Sequence, residues 1–132
     1  MKKLILIALI FSVFACSEEK LDVAKAKAVV ENLIATTDKE DYKNISQYYT
    51  DALNEGEPEI VRSEKLGKLK LMLGDVKSVT LLGANDTTYQ DLMALHLKYE
   101  IKHSKATSTQ DFTIIKENGE YKIARQNIES VN

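Results

Sequence analysis

The 132-residue chain has little of what the commonest enzyme chemistries require. Its one cysteine, Cys16, rules out an intramolecular disulfide and a cysteine-built metal cluster. The two histidines, His96 and His103, have no metal-ligand spacing, so no metal site is expected. Tryptophan is absent and Pro58 is the only proline. There is no glycine-rich phosphate loop and no Gly-x-Ser-x-Gly elbow, so neither a nucleotide cofactor nor a serine nucleophile is expected. Charge of either sign is also not in excess: 18 Lys and Arg stand against 20 Asp and Glu. That balance offers no basic field for nucleic acid.

The one long apolar run lies near the start. Lys2 and Lys3 precede Leu4 to Ala15, which carries no charge and is interrupted only by Ser12. A spanning helix needs about 20 residues, so this shorter run fits the apolar core of an export signal. It ends in Val13-Phe14-Ala15-Cys16, and polar Ser17-Glu18-Glu19-Lys20 follows at once. That junction resembles the lipobox of bacterial lipoproteins, with an aliphatic residue three before the cysteine and a small one just before it. The resemblance implies cleavage after Ala15 and acylation of Cys16 by diacylglycerol and a further chain such as palmitate. Each buried methylene adds about 0.8 kcal/mol, so several chains anchor firmly, and Cys16 is an anchor rather than a nucleophile.

The expected organisation is a signal peptide over residues 1–15, a lipidated cysteine and tether over 16–20, and one domain over 21–132. Ser17 is not the aspartate that retains lipoproteins in the inner membrane of enteric bacteria, so the resemblance implies the outer membrane. Ser17-Glu18-Glu19 further resembles the acidic stretch of surface-exported lipoproteins in the Bacteroidota. For a host of that phylum, Asp86-Thr87-Thr88 resembles its O-glycosylation site, with Thr87 as acceptor in a segment expected to be a loop.

Within the domain, Val23, Ala26, Val30, Leu33, Ile34 and Thr37 recur at helical spacing. Thr37-Asp38-Lys39-Glu40 reads as a capping box, which predicts that the first helix stops near Thr36 and a second begins at once. The second helix would carry an apolar face of Tyr42, Ile45, Tyr48 and Tyr49. Pro58 suits the first turn of a third helix ending at Leu73-Gly74, with Lys65, Lys68 and Lys70 on its solvated side. Strands then follow. Val76 to Leu82 is rich in β-branched residues and gives way to a loop at Gly83-Ala84-Asn85-Asp86. Leu95, Leu97, Tyr99 and Ile101 alternate with polar residues, and Phe112 and Ile114 continue the apolar face. Asn118-Gly119 predicts a hairpin, after which Tyr121, Ile123 and Arg125 share the inner parity. The expected fold class is α+β, three N-terminal helices on a four-stranded antiparallel sheet.

That order resembles the nuclear-transport-factor-2-like (cystatin-like) superfamily. The likeness rests on Tyr48-Tyr49-Thr50-Asp51-Ala52-Leu53, on Leu73-Gly74-Asp75-Val76 and on Asn118-Gly119-Glu120-Tyr121-Lys122-Ile123. It implies a sheet curved into a cone around the helices, with a pocket at the open end. Enzymes of the superfamily, such as ketosteroid isomerases and polyketide cyclases, place ionisable side chains inside that pocket. The positions from Leu95 to Ile123 assigned to the inner face carry no carboxylate or histidine, and His96 has the outward parity of Lys98 and Glu100. The expectation is therefore a non-catalytic domain binding a small ligand or an envelope protein. The alternatives are an enzyme on the same scaffold and an accessory or inhibitor subunit of another envelope protein. Tyr48, Tyr49, Tyr99 and Arg125 are the expected ligand residues, phenols and a guanidinium around an apolar wall.

The anchor has a direct test. Cys16→Ser should abolish incorporation of a fatty-acid analogue and leave the signal attached; label at the wild-type level on the variant would contradict the lipobox reading.

Overall fold

The computed structural model describes residues 20–132, so the signal, Cys16 and most of the tether lie outside the described residues. Helix α1 spans Val23–Asp38 and is capped by Asp22, whose side chain accepts from the Ala24 and Lys25 amides. It buries Ala26, Val30, Leu33 and Ile34 of the expected stripe, while Val23 in the first turn is exposed and Thr37 in the last is half-buried.

The capping box at Thr37 does not act as one. Thr37 Oγ1 donates to the Leu33 carbonyl at 2.7 Å, which extends α1 to Asp38, and Glu40 takes a φ of 61°. A hydroxyl bonded back to the preceding turn is not free to cap a following one. Two 3-10 turns, Tyr42–Asn44 and Ser46–Tyr48, therefore replace the expected short, aromatic second helix. They bury Ile45 and lead Tyr49 into a parallel bridge with Ile123, where the Thr50 amide donates to the Ile123 carbonyl at 3.0 Å. Thr50 is the residue that caps the short helix α2, Asp51–Gly56, by accepting from the Leu53 amide. Helix α3, Glu59–Leu73, follows Pro58 and ends at Gly74. Gly74 has a φ of 82°, and a Cβ there would fall 1.9 Å from Ser104 Oγ, so both conformation and space require glycine.

The sheet is an antiparallel meander in the order β1 (Val76–Tyr89), β2 (Leu92–His103), β3 (Thr107–Glu117) and β4 (Glu120–Val131). Gly83 to Asp86 is not a loop. The segment continues β1, with Leu82 as the extra residue of a bulge between Leu81 and Gly83, and Leu82 is exposed. The reversal instead falls at Gln90-Asp91, both at positive φ as a tight hairpin turn demands. Thr87 thus lies in β1 opposite Ala94, exposed but in a strand. Asn118-Gly119 makes the β3–β4 turn as predicted, also at positive φ.

Leu95, Leu97, Tyr99, Ile101, Phe112, Ile114 and Ile123 form one buried layer with the inner side of α1. The expected inner row of β4 breaks after Ile123. Ile123 opposes Ile114 but Arg125 opposes Thr113, so Ala124 is an extra residue and the parity beyond it reverses. Arg125 therefore turns to water, and Gln126, opposite Phe112, takes the inner position.

A polar knot ties the far end of α3 to this layer. Lys70 Nζ donates to Asp38 Oδ1 and to the Asp38 carbonyl, both at 2.7 Å, and lies 3.0 Å from Asp75 Oδ1. Asp38 Oδ1 also accepts from the Val76 amide at 3.0 Å, so α1, α3 and β1 meet on one carboxylate. Lys70 is accordingly not on a solvated side, although Lys65 and Lys68 are exposed. Burial pushes the Asp38 carboxyl up, but the hydrogen bonds from Lys70 and Val76 and the Lys70 charge outweigh it and leave it below its ordinary 3.8. A carboxylate lowered in the folded state stabilises fully above its unfolded value and loses that contribution as pH falls through the folded one. Asp38→Asn should cost about 1–3 kcal/mol at neutral pH, as expected for hydrogen bonds to a charged group. Chemical denaturation from pH 7 down to pH ~2 checks this, with the gap to wild type closing below the ordinary aspartate value. A gap that stays constant across that range would contradict the role.

Candidate functional site: a groove between α3 and β4

The inward stripe of α3 is Arg62, Leu66, Leu69 and Leu73, residues spaced by four, three and four. Its two ends are seated: Arg62 is 5% and Leu73 3% exposed. The middle is not, because Leu66 and Leu69 remain half-buried. Between the middle of α3 and the end of β4 there is consequently a groove of about 340 Å³. Tyr49, Leu53, Leu66, Leu69 and Ile128 give it an apolar wall, and Arg62, Glu57, Lys65, Gln126 and Asn127 supply polar groups. A narrower cleft of about 60 Å³ shares Leu66, Leu69 and Gln126 with it and reaches Ile101, His103 and the Asp38–Lys70 pair.

Arg62 is the unusual member, a cation in an apolar stripe. Its guanidinium lies over the Tyr49 ring, 4.4 Å from the centroid, an arrangement that offsets part of the cost of burying the charge. Nη1 donates to Asn54 Oδ1 at 2.9 Å, and Asn54 is held in turn by donating to the Ser46 carbonyl. Nε is 3.8 Å from Glu57 Oε1, and Lys65 Nζ is 3.7 Å from Glu57 Oε2. Nη2 is buried and has no hydrogen-bond partner among the described residues. Burial pushes the Tyr49 phenol up to about 12, against the opposing pull of Arg62, so the ring under the guanidinium stays neutral near pH 7.

From Tyr49 a directed line of hydrogen bonds runs along the inner face. Tyr49 Oη donates to Gln126 Oε1 at 2.7 Å, Gln126 Nε2 to Gln110 Oε1 at 3.2 Å, and Gln110 Nε2 to Ser108 Oγ at 3.1 Å. His103 Nε2 is 3.1 Å from the same Ser108 Oγ. Ser108 Oγ has one proton and two acceptor sites, so it holds both the Gln110 amide and the His103 ring. Burial holds His103 below its ordinary 6.5, which keeps it neutral. The inward-facing polar groups thus fix one another and brace the wall of the groove.

Of the four residues expected to bind ligand, only Tyr49 lines the groove. Tyr48 is half-buried, with its hydroxyl 3.3 Å from Thr36 Oγ1. Tyr99 is fully buried, edge-on to Phe112 at 5.9 Å, its hydroxyl without a partner among the described residues, and is a core residue. Arg125 stands in water on the opposite face, so the four do not converge. Arg62 supplies the guanidinium instead; its signal in the sequence was the position four before Leu66, inside an otherwise apolar stripe. On the outer face His96 does sit with Lys98 as its parity requires. His96 Nε2 is 2.9 Å from Asp111 Oδ1, and Lys98 Nζ is 3.1 Å from Glu129 Oε2. Burial and the neighbouring Glu129 raise the Asp111 carboxyl above its usual range.

Among the described residues no group of three or more His, Cys, Asp and Glu is arranged to hold a metal ion, and no helix is long and apolar enough to cross a membrane. Chemically, the groove suits a molecule with an apolar body and a negative end. In comparisons with known proteins, neither a family model nor a curated protein matches the chain.

Proposed function

We propose that the chain is a lipid-anchored lipoprotein of the outer envelope whose domain, built on the nuclear-transport-factor-2-like plan with its sheet curved around the helices, binds a small anionic amphiphile without transforming it. The groove between α3 and β4 is its binding site. Membrane attachment runs through acylated Cys16, and Thr87, exposed on β1, is the proposed glycan acceptor. The observation that carries the binding role is Arg62: a guanidinium almost wholly out of water, with a spare donor, beside an apolar wall. Ligand sites combine mostly apolar lining with a few placed polar groups, and this groove has that composition.

A non-catalytic role is favoured over an enzyme because Asp38 and Lys70 are already spent on the knot joining α1, α3 and β1. One further observation favours a protein partner in addition to a ligand. Ile60 and Val61 at the start of α3 and Leu71 and Met72 at its end are all at least half exposed, two apolar pairs that a partner would cover.

Octanoate is a suitable probe, since it is soluble and has both an apolar body and an acid end. Equilibrium dialysis of labelled octanoate against the full chain in lipid nanodiscs, with protein-free nanodiscs as blank, should give saturable uptake. Leu66→Glu, which puts a charge in the apolar wall, should remove it. Failure of octanoate, octyl sulfate and octanol alike to bind saturably would overturn the assignment.

A further inference from the structure

Resting on the groove as a ligand site, a second inference concerns its head-group end. We propose that Glu57 is a built-in stand-in for the carboxylate of the ligand: it holds the place between Arg62 and Lys65 that a monocarboxylate with an apolar chain takes when it binds.

The geometry of Glu57 is that of a placeholder. Its two oxygens lie 3.8 Å from Arg62 Nε and 3.7 Å from Lys65 Nζ, so the carboxylate sits between two cations, offsets one of their two charges and hydrogen-bonds to neither. A carboxylate free to dock on a guanidinium settles about 2.8 Å away and makes two parallel bonds. Glu57 is fixed by its backbone at the junction of α2 and α3, immediately before Pro58, in an extended conformation. In the structure its oxygens stand beyond hydrogen-bonding distance of both cations. Its side chain is 28% exposed, so water is beside it and it has somewhere to go. The buried Nη2 of Arg62 is the donor left over by this arrangement.

The same features select the chemistry of the head group. Exchanging Glu57 for a monocarboxylate leaves the local charge unchanged and puts a head group of the same size and shape in the space that Glu57 holds between Arg62 and Lys65. The apolar wall of Leu66 and Leu69, leading from Arg62 toward the narrower cleft, places the chain of the ligand behind its head. The site is thus assigned to a carboxylate with an apolar chain, held back by an internal competitor.

An internal competitor raises the apparent Kd in inverse proportion to the fraction of time that it leaves the site open. Glu57→Gln should therefore tighten octanoate binding about three- to tenfold in the full chain in nanodiscs, while leaving octanol unchanged. Arg62→Gln should weaken octanoate at least about tenfold and spare octanol. Near-UV circular dichroism reports whether Arg62→Gln is folded; if it is not, Lys65→Gln, at an exposed residue, takes its place with a smaller loss. Unchanged or weaker octanoate binding in Glu57→Gln would overturn the stand-in role. Tighter binding of octyl phosphate than of octanoate to wild type would overturn the carboxylate assignment. Octanol binding as tightly as octanoate would overturn the anionic head group while leaving the groove as a site, and no saturable binding of any probe would remove the groove itself.

Discussion

Helix α3 is held to the rest of the domain by two polar clamps, and the groove exists because nothing equivalent holds its middle. At one end Lys70 binds Asp38, and through that carboxylate the start of β1. At the other, Arg62 lies on Tyr49 and donates to Asn54. Charged hydrogen bonds are directional and fix position, whereas apolar contact in the middle of α3 is incomplete. Seating Leu66 and Leu69 fully would gain burial energy at about 25 cal/mol per Å². Forgoing that gain while burying a guanidinium is poor design for a helix with only a structural task, and sensible design for one wall of a binding site.

The clamps also explain how the site is made rigid. Tyr49 serves twice, as the aromatic floor beneath Arg62 and as the first donor in the line through Gln126, Gln110 and Ser108 to His103. Its position follows from the bridge to Ile123, which adds the segment after the 3-10 turns to the edge of β4. The bulge at Ala124 then turns Gln126 inward to meet the Tyr49 hydroxyl. One extra residue in β4 thus places the amide that the hydrogen-bond line needs and expels Arg125 from the same wall.

Much of the fold was legible in the residues, and the failures have local causes. The alternation of Leu95, Leu97, Tyr99 and Ile101 and the turn at Asn118-Gly119 each reflect a single dominant preference, and the structure follows them. Thr37 to Glu40 has the composition of a capping box, but the hydroxyl had a competing acceptor in the Leu33 carbonyl. Gly83 to Asp86 has loop composition, yet cross-strand pairing carries β1 through it to the turn at Gln90-Asp91. The site was half legible. Tyr49 was in view, but strict alternation projected Arg125 inward because a bulge leaves no mark in the alternation itself. Arg62 was masked by the usual rule that a charged residue at a helical position faces water.

The central claim is that the space between the middle of α3 and β4 receives the apolar body of a ligand whose acid end lies at Arg62. Intermolecular nuclear Overhauser effects between carbon-13-labelled octanoate and methyl-labelled protein measure this directly. The account predicts contacts from the chain of the ligand to the Leu66 and Leu69 methyls and to Ile128, with the methylene next to the carboxylate nearest Arg62. Contacts confined to the outward methyls of Ile60, Val61, Leu71 and Met72 would contradict it and reassign α3 to surface adhesion.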